Sequence, residues 1–307
     1  MATTFESILP VFLLVLLGVG LKRWPLINGS LWDGLEQLGF YVLFPALLFV
    51  TLSQADFSAI ETGAVSVVAN LSVLVMSIGT LALWPLLRRN GVDAPAFTTI
   101  FQTTTRWNGF MALAIAEKIA GQPGLTLVAL VMAAIIVPLN VVNVGVMVWF
   151  GGGNRNVKSF AARLLSNPII LGAATGVIVN LTGLPIYAPL MQTVELVSQS
   201  SLSLGLIMVG AGLKISDALK PHPSAILATV LKLIVFPIVM VALGLAFDIE
   251  GDALTMLALS AAVPTAMNGY LLAKQMGGDA PLYAATATIQ TAAAFFTIPA
   301  VLFVVSL

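Results

Sequence analysis

The sequence predicts an all-α integral membrane protein of ten transmembrane helices, built as two inverted five-helix repeats with broken crossover helices at spans 4 and 9. Three observations carry that prediction. Charged residues make up 8% of the 307, thirteen basic and thirteen acidic, where a soluble domain carries roughly 25%. Apolar residues make up 59%, and the mean hydropathy is +1.04. The apolar residues fall into ten runs, each close to the length of about 20 residues that a helix needs to cross the hydrocarbon core.

The runs are 5–22, 33–52, 60–87, 94–118, 124–150, 160–181, 190–213, 222–247, 252–276 and 279–305. Span 1 is read as a retained helix, because residues 1–6 lack a basic n-region and Lys22-Arg23 follow the apolar run. Spans 2 and 3 are closed by Asp56 and by Arg88-Arg89-Asn90-Gly91. Span 5 ends at Gly151-Gly152-Gly153-Asn154, and span 7 at Lys220-Pro221-His222-Pro223. Each of these last three separators joins polar residues to helix breakers. Ten spans use most of the chain and leave no room for an extramembrane domain. The first repeat is placed at 1–150 and the second, inverted, at 160–307.

Loop charges set the orientation. The loops after spans 1, 3, 5, 7 and 9 together hold ten basic residues, and the other side holds only Lys118. The positive-inside rule then puts both termini outside the cytoplasmic membrane. Two basic residues remain, Arg106 in span 4 and Lys232 in span 8. At 1.5 Å per residue both lie roughly 15 to 18 Å deep, near the bilayer centre.

The two halves correspond at three points. Asn108-Gly109-Phe110 recurs as Asn268-Gly269-Tyr270, offset by 160; Val137-Pro138 recurs as Ile298-Pro299 and Asp56 as Asp217, each offset by 161. Spans 4 and 9 are also the most polar at their centres. Span 4 reads Gln102-Thr103-Thr104-Thr105-Arg106-Trp107-Asn108-Gly109, and span 9 reads Val263-Pro264-Thr265-Ala266-Met267-Asn268-Gly269. Pro264 removes a backbone donor, and interrupted helices at matching positions of two halves point to a binding site at the midplane.

A helix starting inside the membrane offers unpaired N–H groups and a partial positive charge. With Arg106 and the amides of Asn108 and Asn268, that chemistry suits a small carboxylate. The candidate substrate-binding residues are Gln102, Thr105, Arg106, Asn108, Gly109, Lys232, Thr265, Asn268 and Gly269, with Pro264 as the helix break. Lys232 has three readings: attraction of substrate, response to a proton or ion, and a structural pair. Glu195, near the outer end of span 7, lies roughly 15 Å above Lys232, too far for a direct pair. The row Ser198-Gln199-Ser200-Ser201-Ser203 either lines a cavity or packs closely. Pro45, Pro138, Pro237 and Pro299 are read as packing kinks.

Sparse basic residues argue against a nucleic-acid partner. With one His and no Cys, neither a metal site nor a cofactor is expected, and no nucleophile–base set points to an enzyme. No Gly-Lys-Ser/Thr phosphate loop is present.

Ten spans, the five-plus-five repeat, Arg106-Trp107-Asn108-Gly109, and Val263 to Tyr270 followed by Gly277-Gly278-Asp279 together resemble the auxin efflux carrier family. The resemblance implies a secondary transporter of small organic anions, such as malate, malonate or auxin-like acids. It also implies a scaffold of spans 1, 2, 6 and 7 and a mobile transport domain of spans 3–5 and 8–10, moving as an elevator. Homodimerisation through the scaffold is a further implication. The long cytoplasmic loop of plant members between spans 5 and 6 is missing here. H+ or Na+ coupling stays open, as do a cation or proton exchanger, a sodium-coupled symporter and a non-transporting sensor of the same fold.

Overall fold

The computed structural model describes residues 2–55, 62–150, 166–218, 221–267 and 269–306, and among them it contains helices and no strand. Asn268, Asp56 and the basic residues Arg155, Lys158, Arg163 and Lys220 lie outside the described residues. Six described stretches are long and apolar enough to cross a membrane: Ser30–Ser53, Gly63–Arg89, Ala94–Phe150, Ala188–Gly212, Pro223–Ala246 and Ala280–Val305. Pro168–Thr182 and Gly251–Ala262 are apolar but shorter, and Ala2–Arg23 occupies the place of span 1. Large apolar side chains cover the outside; Leu16, Ile78, Leu181, Ile238 and Phe296 are each more than half exposed. Singly exposed leucines are ordinary, but a whole perimeter of them belongs in lipid. The protein is a multi-span α-helical membrane protein.

The stretch Ala94–Phe150 has 57 residues, about 85 Å as a straight rod, far more than one crossing needs. Two interruptions divide it. Ala94–Thr105 stops at Arg106, whose backbone is extended (φ −70°, ψ 157°), and helix resumes at Gly109. The second interruption is Gly121 (φ 59°, ψ −149°), two residues before Pro123. An L side chain rarely adopts that positive φ. Gly251–Ala262 likewise stops at an extended Val263 (φ −69°, ψ 150°), and Gly269–Met276 follows the gap. Both predicted breaks are therefore real discontinuities.

The intrahelical prolines behave in two ways. Pro45 and Pro237 each follow a π turn, Gly39–Leu43 and Leu231–Val235, in which the next N–H reaches back five residues: Phe44 to Gly39 and Phe236 to Leu231. The wider turn carries the ladder past a residue that cannot donate and whose ring crowds the preceding turn. Pro138 and Pro299 lie inside uninterrupted helices. Pro138 leaves the Ala134 carbonyl short of its usual donor, and Asn70 Nδ2 bonds it from span 3 at 3.4 Å.

Glycines bring two pairs of helices to backbone contact. Gly18 in Ala2–Arg23 lies on the Ile207 backbone of Ala188–Gly212, and Gly210 lies on Val15 in return. Gly172 and Gly176 of Pro168–Thr182 lie on the backbones of Pro45 and Phe49 in Phe44–Ser53. Small residues at such crossings let apolar helices associate in lipid, where no hydrophobic force separates helix from tail. Spans 1 and 7, and spans 2 and 6, are thus closely paired. The other helices pack around the two breaks.

Candidate substrate site

The two broken helices meet through their backbones. The N–H of Asn108 donates to the carbonyl of Pro264 at 2.7 Å. Each partner is available because its own helix has stopped there. The incoming half of span 4 starts at Asp93, whose carboxylate accepts from the Ala96 N–H, and closes with the Arg106 N–H on the Gln102 carbonyl at 2.8 Å. The outgoing half is capped by Asn108, whose Oδ1 accepts from the Met111 N–H at 3.2 Å. Asn is a preferred residue for that task. Gly109, at the first turn, is closely faced by Phe44 and Met132, so a side chain there has little space.

Arg106 is 8% exposed. Its Nη2 donates to Asn140 Oδ1 at 3.2 Å, and Asn140 is held in turn by a bond from Nδ2 to the Ile136 carbonyl at 2.7 Å. Arg106 Nε has no hydrogen-bond partner, and neither do the two amide atoms of Gln102 or the hydroxyl of Thr104. Buried polar atoms are rarely left this way, and here several cluster in the five residues 102–106 that lead into the break. Most of them are donors. Thr105 differs: its hydroxyl bonds the Phe101 carbonyl and Asn143.

On the span 9 side, Thr265 is fully engaged. Its N–H donates to Gln290 Oε1 at 2.9 Å, and its hydroxyl pairs with the Tyr283 hydroxyl at 3.0 Å. Tyr283 also donates to the Ala266 carbonyl at 2.6 Å. The Tyr283 ring lies against Gly269, where an added Cβ would overlap it. Gln290 additionally donates to the carbonyls of Thr103 at 3.0 Å and Ala228 at 3.3 Å.

Lys232 sits in the second π turn with no exposure. Its Nζ has no hydrogen-bond partner and lies 4.3 Å from the Phe236 ring centroid. That turn packs on the first half of span 4 and on spans 9 and 10. Glu195 is not part of this region; its carboxylate accepts from Gln54 Nε2 at 2.7 Å in an exposed position. Ser201 Oγ, in the polar row of span 7, is buried without a partner, and four residues on Gly205 abuts Phe110. Among the described residues no cluster of acids and histidines could hold a metal ion.

The structure thus brings Gln102, Arg106, Asn108, Gly109, Thr265, Pro264 and Gly269 to one crossing. Gln290, Asn140 and Tyr283 join them without any signal in the sequence beyond being polar residues in apolar helices.

A sequence profile of the family described as membrane transport protein matches residues 154–302. Two relatives span nearly the full length. An uncharacterized transporter of Methanothermobacter thermautotrophicus is 27% identical over 305 residues, 96% of each chain. The uncharacterized transporter YfdV of Escherichia coli K12 is 25% identical over 280 residues, covering 88% of this chain and 87% of its own. By this profile and both relatives, the chain is similar to membrane transport proteins along most of its length. The profile match takes in Lys232, the span 9 break and Gln290; the two full-length relatives extend the likeness across most of the first half.

Proposed function

We propose that the carrier moves small organic anions, carboxylates such as malate or malonate, across the cytoplasmic membrane. One observation supports this most: Arg106 is buried at the meeting of two broken helices with Nε unpartnered and a neutral carboxamide as its hydrogen-bond partner. A guanidinium so placed is costly unless an anion completes it. Gln102, the nitrogen of Asn108 and the helix start at Gly109 supply further donors around it. Asn268, Gly269 and Lys232 complete the proposed binding set from the second half, whereas Thr265 contributes by holding the break open through Gln290 and Tyr283.

The reading includes ten spans in two inverted repeats, with both termini outside. The paired spans 1, 2, 6 and 7 form a scaffold against which spans 3–5 and 8–10 shift. The glycine-mediated pairing of spans 1 with 7 and 2 with 6 supports that division. Cation exchange fits less well, because Glu195, the deepest acid of the sequence, is tied to Gln54 at an exposed position. Uptake of labelled malonate and malate into proteoliposomes tests the proposal. Accumulation above that of protein-free vesicles is expected, whereas sodium or proton flux without carboxylate flux would overturn it.

A further inference from the structure

Gln290 lies midway along Ala280–Val305, fully buried, in the run Thr288-Ile289-Gln290-Thr291-Ala292. Its carboxamide makes three bonds, all to main chain and all on different helices. Oε1 accepts from Thr265 in the span 9 break, while Nε2 donates to Thr103 in the last turn before the span 4 break and to Ala228 in span 8. Both of the first two groups are orphans of interruption. Thr265 follows an extended Val263 and Pro264, so its N–H has left the helical ladder. The Thr103 carbonyl belongs to the final turn of Ala94–Thr105, past which the helical ladder stops. One side chain therefore satisfies what both broken helices leave open, and it anchors them to the helix one turn below Lys232. Only a neutral amide can accept at one atom and donate twice at the other; a carboxylate accepts only, and an apolar side chain does neither.

We propose that Gln290 is the positioning residue of the site. It fixes the distance between the two breaks, so that Arg106 and Asn108 on one side and residues 263–267 on the other present a single surface to the substrate and move together. Its effect on affinity rests on the anion-carrier reading, whereas its hold on the two breaks does not.

Two substitutions separate these parts, Gln290→Glu and the apolar Gln290→Met. Amide hydrogen exchange on purified protein reads the geometry, and malonate affinity per folded molecule, taken as a ratio to wild type at each pH, reads the consequence. At neutral pH both variants should exchange faster at 103–109 and at 263–267 together, with the Gly18–Gly210 crossing of spans 1 and 7 unchanged. Affinity should fall about tenfold or more. On acidification Gln290→Glu should recover part of the loss, because a protonated carboxyl regains one donor, and Gln290→Met should not. Faster exchange at one break only, uniformly faster exchange along the chain, or loss of affinity with no acid recovery in Gln290→Glu would overturn the proposal. Should wild-type protein bind no carboxylate while both breaks loosen together, the anion reading falls and the positioning of the breaks by Gln290 stands.

Discussion

Asn108 and Pro264 are joined by a backbone hydrogen bond of 2.7 Å across 156 positions of sequence. The bond exists because both helices fail at the crossing: Asn108 has an N–H to give, and Pro264, past the end of Gly251–Ala262, a carbonyl to receive it. Non-helical backbone inside a bilayer survives only where protein or a water-filled cavity satisfies it. Here each break satisfies the other, and the donors left over, at Arg106 and Gln102, define what the site can hold.

Asn140 follows as an unforeseen member of that site. Asn140→Leu should weaken carboxylate affinity less than Arg106→Ala does, because the guanidinium remains but loses the group that aims it. The two effects should not add. A double-mutant cycle read by calorimetry should give a coupling above about 0.5 kcal/mol; additive losses would separate Asn140 from the site.

Lys232→Met gives a second test. A buried ammonium with no hydrogen-bond partner is destabilising, so the ligand-free variant should melt higher than wild type. If Lys232 also faces the anion, the rise in melting temperature on adding malonate should shrink in the same variant. A lower melting temperature without ligand, together with an undiminished malonate shift, would make Lys232 purely structural.

Gly269→Ala probes the packing of the break. The new methyl would overlap the Tyr283 ring, and relieving such overpacking typically costs about 1 to 3 kcal/mol. Transport should fall, and Tyr283→Ala in the same chain should restore part of the stability. Unchanged melting and transport in Gly269→Ala would show that the ring can move aside freely.

Gly210→Val acts on the crossing of spans 1 and 7. Its side chain would meet the Val15 backbone, which cannot rotate away, so spans 1 and 7 must separate. Thermal stability should drop while malonate affinity per folded molecule is kept, and a selective loss of affinity would argue that the scaffold pair shapes the pocket directly.

Much of this was legible in the sequence because its signals are local. Pro264, Gly109 and the polar run from Gln102 to Asn108 announce a helix that cannot continue, and Arg106 is conspicuous in an apolar span. The π turns before Pro45 and Pro237 were not legible: a proline predicts trouble in the ladder but not whether the helix bends or widens. Gln290, Asn140 and Tyr283 escaped for a different reason. Each lies in a regular helix, and its importance comes from partners 25, 34 and 18 positions away that only the fold brings near. The polarity of Thr265 suggests a substrate ligand, but its N–H and hydroxyl are already taken by Gln290 and Tyr283. Asn268, the counterpart of Asn108 by the repeat, lies outside the described residues.

On the proposed function, the crossing of spans 4 and 9 binds a carboxylate through Arg106. Titrating purified wild-type protein and Arg106→Ala with malonate and malate, by calorimetry in the same detergent, tests it most directly. Saturable binding by wild type, and a loss of about tenfold or more in a variant that stays folded, are expected. Equal affinity in the two proteins would contradict it.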